Sequence, residues 1–221
     1  MKQKTILNKS LTKYPFWLSP LILYVFVLLS GCQKQESNCN CTYGQKTRIE
    51  NDSFIKVINA DDYKMWTTYL DRKDEPLLQS GNQESYRFFC DGTGSFRGGI
   101  APNRVFRIEN HNGKYLLHYK LFDRRNGWQR DSLVTQYSKY ISEEDWKELK
   151  SSISDNCYWT MAITNDRRGL DGSEWALEAF DPNENNCINN KFHIVSRWSP
   201  EDTSAFNQIC SFFWKYDKYK Q

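Results

Sequence analysis

The feature that most limits what this chain can fold into is a short apolar segment near its N-terminus. The segment Leu21–Leu29 comes after a basic lead that contains four lysines and no acidic residue. A membrane span needs about 20 apolar residues, and the polar stretch 33–37 ends this one far too early. The first 31 residues are therefore typical of a cleaved secretory signal peptide, and the folded body must lie C-terminal to them.

The residues at the end of this segment add a chemical expectation. Leu29-Ser30-Gly31-Cys32 resembles the lipobox of bacterial lipoproteins. The resemblance implies that residues 1–31 are removed, and that Cys32 becomes an acylated (palmitate-bearing) N-terminus. Two or more acyl chains give stable anchoring, because each buried methylene contributes about 0.8 kcal/mol. The alternative is an ordinary secretory signal in which Cys32 is incidental.

The resemblance also implies a location. Gln33 stands after the anchor where inner-membrane retention is associated with Asp, and Gln33–Glu36 resembles a surface-export signal except at Gln35. We expect a lipoprotein of the cell envelope, held at the outer membrane through its lipid anchor. Whether it faces the periplasm or the cell surface stays open.

Removal of the leader changes the charge balance. The chain has 30 basic and 27 acidic residues, and four of the lysines lie in residues 1–31, so the mature chain has 26 against 27. A net charge of −1 argues against a nucleic-acid partner. We expect residues 32–52 to be a flexible tether and residues 53–221 to form one globular domain.

Six cysteines remain after Cys32, which is an even number in an oxidising compartment. Six cysteines allow 15 pairings, and the sequence cannot choose among them. Cys187 paired with Cys210 or Cys157 is the preferred arrangement, with Cys90 another candidate for a bridge. Structural bridges or buried thiols are favoured over a metal site, since no Cys-x-x-Cys is present and the histidines are scattered.

Local patterns predict a mixture of strands and helices. A strand is expected at 54–58, a helix capped by Asn59, a polar loop over 71–84 and strands at 85–90 and 131–140. Ser142 and Asp145 form a capping box that begins a further helix. The expected core stripes of these two helices are Tyr63, Trp66 and Leu70, and Trp146, Leu149 and Ile153.

A hairpin is expected over 104–121, around Asn110-His111-Asn112-Gly113. Pairing Glu109 with Lys114 places Ile108 opposite Tyr115 and Phe106 opposite Leu117. His111 and His118 would then sit on a loop and a strand, where we expect no metal site.

The last third predicts a second hairpin and a closing helix. Strands at 174–180 and 191–198 with Phe180 opposite Lys191 would place Glu178 opposite His193 and Glu174 opposite Arg197 on one surface. Ser199, Pro200 and Asp202 predict the start of a helix. Its apolar stripe would be Phe206, Ile209, Cys210 and Phe213. The whole pattern predicts an α+β fold in which an antiparallel sheet packs against two or three helices.

The stretch Leu170–Trp175, together with His193 and Arg197–Pro200, resembles a pattern in uncharacterised bacterial proteins. The resemblance implies no activity. It does draw attention to four residues as candidate site residues: Glu174, Glu178, His193 and Arg197.

Two interpretations of these four residues compete. A carboxylate beside a histidine could act as acid and base in an envelope hydrolase, with Arg197 binding an anionic group. A salt-bridged sheet surface is the favoured alternative, because no nucleophile or metal set converges on it. We therefore expect a membrane-anchored binding protein with no cofactor, which is either an immunity-like protein that blocks a toxin or a binder of small molecules or glycans.

Overall fold

The structure is a computed structural model that describes residues 60–92, 95–96, 99–100, 102–123, 131–164, 172–183 and 191–219. The chain divides into two compact units, Met1–Glu36 and Ser37–Gln221, and every described residue belongs to the second. The predictions made for the leader, Cys32, the tether, the strand at 54–58 and Cys187 lie outside the described residues.

The described residues form three α-helices and eight strands. The helices are α1 (Ala60–Arg72), α2 (Glu143–Asp155) and α3 (Ala205–Trp214), and short 3-10 turns lie at Leu78–Ser80 and Tyr158–Thr160. The strands are β1 (Ser85–Gly92), β2 (Ser95–Phe96), β3 (Gly99–Ile100), β4 (Asn103–His111), β5 (Lys114–Asp123), β6 (Ser132–Ile141), β7 (Ser173–Phe180) and β8 (Phe192–Trp198).

Six of these strands form one sheet in the order β6-β5-β4-β1-β7-β8, and β2 and β3 form a separate ribbon. Every neighbouring pair in the large sheet is antiparallel. The predicted α+β fold, an antiparallel sheet packed against helices, is confirmed.

Helices cover both faces of this sheet, which explains why β1 is buried along nearly its whole length. The face that we call the α2–α3 face carries Tyr86, Phe88, Phe106 and Leu177, which pack against Trp146 and Leu149 of α2 and Phe206, Ile209 and Phe213 of α3. The opposite face, called the α1 face, carries Phe89, Val105 and Phe122, which pack against Trp66, Tyr69 and Leu70 of α1.

The β4–β5 hairpin is present, but its register differs from the prediction by two residues. Ile108 pairs with Leu117, and His111 pairs with Lys114. The loop is therefore only Asn112-Gly113, whose φ values of 53° and 84° suit a two-residue hairpin turn. Because side chains alternate with a period of two, this shift leaves every residue on its predicted face.

The start of α2 was predicted correctly from local sequence signals, whereas the start of α3 was not. In α2, Ser142 Oγ accepts a hydrogen bond from Asp145 N at 3.0 Å, and Trp146, Leu149 and Ile153 are buried, as predicted.

The predicted start of α3 is wrong. The helix begins at Ala205 with Ser204 as its cap, because Ser199 has a φ of 37° and its backbone N–H donates to Ser173 O at 2.8 Å. The predicted stripe of Phe206, Ile209, Cys210 and Phe213 is nevertheless buried.

Candidate functional site

The four sequence-predicted site residues do not form one cluster. In the β7–β8 hairpin Glu178 pairs with Ile194 and His193 pairs with Ala179, one residue away from the predicted register. A one-residue shift moves every side chain of one strand to the other face. Glu174 and Glu178 therefore lie on the α1 face, whereas His193 and Arg197 lie on the α2–α3 face. The predicted acid–base arrangement is wrong.

Glu178 is held in a buried ion pair. Its Oε2 accepts from Arg87 Nε at 2.6 Å, and its Oε1 accepts from Trp66 Nε1 at 3.0 Å. Burial raises the pKa of this carboxyl, although the charge and hydrogen bond of Arg87 act in the opposite direction. With 1% of its surface exposed, Glu178 is out of reach of a substrate.

His193 is also enclosed, on the other side of the sheet. Its ring packs edge-on against Tyr158, and its Nε2 donates to the Met161 carbonyl at 3.0 Å. Burial lowers the pKa of His193 to about 4, and the charge of Arg197 adds to the effect. The imidazole is neutral at physiological pH and faces the core.

The remaining two predicted residues hold neighbouring segments in place. Arg197 Nη2 donates to Ala162 O at 2.7 Å, and its Nη1 donates to Ile163 O at 3.1 Å. Glu174 is exposed and accepts from Ser196 Oγ at 2.8 Å. Both side chains thus make structural contacts, but to carbonyl and hydroxyl oxygens and not in the salt bridges that the structural interpretation expected.

A buried charge network that sequence reasoning missed lies under the segment after α1. Glu75 is its centre: Oε2 accepts from Arg107 Nε at 2.9 Å and lies 3.4 Å from Arg87 Nη1, and Oε1 lies 3.0 Å from Lys120 Nζ. The sequence assigned Glu75 to a polar loop. The signal that could have found the network is Arg87 itself, which stands between aromatic residues in a strand that is apolar on both sides.

A second buried polar group lies at the far end of the α1 face. Lys73 forms an ion pair with Asp131, and Asn103 Nδ2 donates to the same Asp131 oxygen at 2.9 Å. Burial raises the pKa of the neighbouring Asp91, an effect that the charge of Lys73 opposes. Lys73 has 2% of its surface exposed, so its charge interacts with buried groups such as Asp131 and not with solvent.

A group of polar side chains that reaches solvent lies where the β4–β5 hairpin meets β6. We call Glu109, His111, His118 and Ser138 the Glu109 cluster. Glu109 Oε2 lies 3.0 Å from His111 Nε2 and 3.5 Å from His118 Nε2, and His118 Nδ1 lies 2.8 Å from Ser138 Oγ. Sequence reasoning left both histidines without a role, because their proximity depends on the register of three strands.

Electrostatics fix the charge of the cluster. Partial burial of Glu109 opposes ionisation, but the hydrogen bond from His118, the charge of Arg107 and the hydrogen bond from His111 outweigh it, and the pKa falls to about 2. The side chains of His118 and His111 are 24% and 38% exposed. Glu109 is thus ionised, and the hydrogen-bonded cluster around it is accessible to solvent.

The two edges of the sheet differ in their cover. At the outer edge of β8, the segment before β7 supplies a backbone partner, since Ser196 N donates to Ile163 O at 2.7 Å. Within the described part of the chain, β6 pairs only with β5. Three large apolar side chains of β6 are exposed: Leu133, Val134 and Tyr140, at 47%, 56% and 66%.

The state of the described cysteines differs in part from the predicted disulfide bonds. Cys90 on β1 and Cys210 on α3 are free, buried thiols in the α2–α3 core, so bridges to either of them were wrongly predicted. Burial raises the pKa of both thiols, that of Cys90 to about 12. Cys157 is disulfide-bonded, and neither of these two thiols is its partner. A bond between Cys157 and Cys187 stays a prediction.

Comparison with protein-family models and with curated proteins finds no match for this chain. Within the ranges that the structure describes, no helix has the length and apolar character needed to cross a membrane. No group of three or more metal-ligating side chains is placed to hold an ion among those same residues.

Proposed function

We propose that this chain is a lipid-anchored protein of the cell envelope that binds a protein partner outside the cytosol. The observation that carries the binding part is the edge of β6, which pairs with β5 alone among the described strands and exposes Leu133, Val134 and Tyr140. An edge strand offers unpaired backbone groups, and a partner segment in extended conformation can add to it as a further strand. The anchoring part rests on Leu29-Ser30-Gly31-Cys32.

The placement of the tryptophans favours a protein partner over a glycan. Sugar recognition by stacking uses exposed aromatic rings, and every tryptophan that the structure describes is buried or half-buried. Trp175 and Trp214, for example, pack against each other in the α2–α3 core. The exposed rings among the described residues are those of Tyr140, on β6 itself, and Tyr219. An immunity-like role, in which the domain blocks a toxin, is compatible with this surface.

Binding is tested with the acylated protein in its own envelope. A photo-crosslinking residue at position 134 should capture a partner, and the double variant Val134→Lys, Tyr140→Lys should abolish co-purification of that partner, because charges on an edge strand oppose strand addition. Met65→Lys is the matched control, since Met65 is 64% exposed on α1, away from β6. A partner that is retained by the β6 variant, or lost equally with Met65→Lys, would contradict the proposal.

Anchoring is tested separately. Replacement Cys32→Ser should release the protein from the membrane fraction and remove the acyl mass from its N-terminal peptide. Unchanged fractionation, or an unmodified N-terminus in the wild-type protein, would refute the anchor without bearing on the β6 surface.

A further inference from the structure

The Glu109 cluster contains three groups in the order of a nucleophilic site. Ser138 Oγ lies 2.8 Å from His118 Nδ1, and His118 Nε2 lies 3.5 Å from Glu109 Oε2. A hydroxyl, an imidazole and a carboxylate in this order form the arrangement that activates serine in acyl transfer, whatever the fold that carries it. We propose that Ser138 is the nucleophile of a hydrolytic site for carboxylic esters, with His118 as its base.

The neighbours of His118 decide its tautomer. Glu109 is ionised and can only accept a hydrogen bond, so the Nε2 that faces it carries the proton. In the neutral imidazole the lone pair is then on Nδ1, which faces Ser138. The hydroxyl of Ser138 must therefore donate to Nδ1, which is the direction that a general base requires.

Glu109 is itself held in position from two other sides. Arg107 pairs with its Oε1, and His111 Nε2 lies 3.0 Å from its Oε2. Arg107 is in turn bound to the buried Glu75 through its Nε at 2.9 Å. The buried network thus fixes the carboxylate that orients His118, so Glu109 is a positioning residue.

The sheet explains why these three groups meet. His118 on β5 pairs with Ser138 on β6 and with Arg107 on β4, and Glu109 is the next residue of β4 on the same face. Residues on extended strands are more rigidly placed than residues on loops. Ser138 is exposed, and Gln136 occupies the preceding position on the same face of β6, where its side-chain amide can donate to a developing oxyanion.

The proposed reaction balances with water as the second reactant. Ser138 Oγ bonds to the ester carbonyl carbon, its proton passes to His118 Nδ1, and the alcohol leaves with that proton as the carbon–oxygen bond breaks. Water then attacks the acyl-serine, gives a proton to His118 and releases the carboxylic acid, while Ser138 regains its proton. Because His118 is partly exposed and Ser138 is exposed, the site would accept an ester without enclosing it.

The test is labelling of the full-length protein with a fluorophosphonate probe and identification of the modified peptide. We expect the label on Ser138, its loss in Ser138→Ala, and a rate about 10²–10⁴-fold lower in His118→Ala. Ser196→Ala is the matched control, since Ser196 also makes a cross-strand side-chain hydrogen bond, but to the Glu174 carboxylate where Ser138 has a histidine, and it should keep the wild-type label. Hydrolysis of p-nitrophenyl acetate should show the same order among the variants.

The positioning role of Glu109 is tested by the labelling rates of two further variants. Glu109→Ala should slow labelling, and Glu109→Asp should restore part of the rate because it returns an ionised acceptor to His118. No label above that of heat-denatured protein, or a label that persists in Ser138→Ala, would overturn the proposal. Partner capture through β6 is measured separately in the His118→Ala protein, whose substitution lies on β5 and leaves the sequence of β6 unchanged, so failure of the esterase site and failure of the proposed binding function can be told apart.

Discussion

Arg87 and Glu178 form an ion pair across β1 and β7 with 0% and 2% of their side chains exposed. Both charges are buried away from water, and the pair is the shortest ion contact of Arg87, whose second carboxylate neighbour is Glu75 at 3.4 Å. Taking one partner away leaves the other charged and buried, which costs far more than breaking a surface pair.

We predict that Glu178→Ala lowers the free energy of unfolding by up to about 3–5 kcal/mol, because it removes the shorter of the two carboxylate contacts of the buried Arg87 and leaves only Glu75, at 3.4 Å, to compensate its charge. Chemical denaturation monitored by tryptophan fluorescence measures the change. Glu174→Ala is the control on the same strand and face, and its exposed carboxylate should cost no more than about 1 kcal/mol. Equal effects of the two variants would show that Glu178 is not buried as described.

The lowered pKa of His193 gives a pH dependence with a defined sign. The folded protein holds this imidazole neutral down to about pH 4, whereas an unfolded histidine takes up a proton near pH 6.5. The neutral His193 therefore makes its full contribution to the free energy of unfolding above about pH 6.5. That contribution, about 3 kcal/mol in total, is lost as the pH falls towards 4.

Unfolding curves of wild-type protein and His193→Gln between pH 4 and 7 measure this contribution, since glutamine does not titrate. The difference in stability between the two proteins should shrink as the pH falls. A difference that stays constant with pH would contradict the buried, neutral His193.

Gly172 should tolerate no side chain. Its φ is 153°, and a Cβ there would lie 2.2 Å from Ser199 Oγ and 3.2 Å from the Trp198 ring. Strained backbone conformations cost about 1–3 kcal/mol each, so Gly172→Ala should lower the melting temperature clearly. Gly81→Ala, where the nearest atom would be 3.4 Å away and φ is −86°, should change it little.

Thiol labelling should distinguish the two buried free cysteines from the disulfide-bonded Cys157. In the native protein, iodoacetamide should modify neither Cys90 nor Cys210, because both are buried and burial raises the pKa of both. Unfolding without a reductant should expose these two to the reagent, whereas Cys157 should react only after reduction. Peptide mapping without reductant tests whether its partner is Cys187. Rapid native labelling of Cys90 would be inconsistent with its place in the core.

Local signals in the sequence determined much of the fold. The capping box of Ser142 and Asp145, the apolar stripes of α2 and α3 and the faces of the β4–β5 hairpin all depend on residues that are close in the chain. Even an error of two residues in the hairpin register kept Ile108 and Phe106 on the correct face, because the side-chain period of a strand is two.

Tertiary structure alone decided which charged residues meet. The β7–β8 register differs from the sequence prediction by a single residue, and that was enough to separate Glu178 from His193 by the thickness of the sheet. The ion pairs of Glu75 join a segment after α1 to three strands, and the Glu109 cluster joins β4, β5 and β6. Such contacts depend on the register of whole strands and on which element covers each face, and no local spacing of residues encodes either quantity.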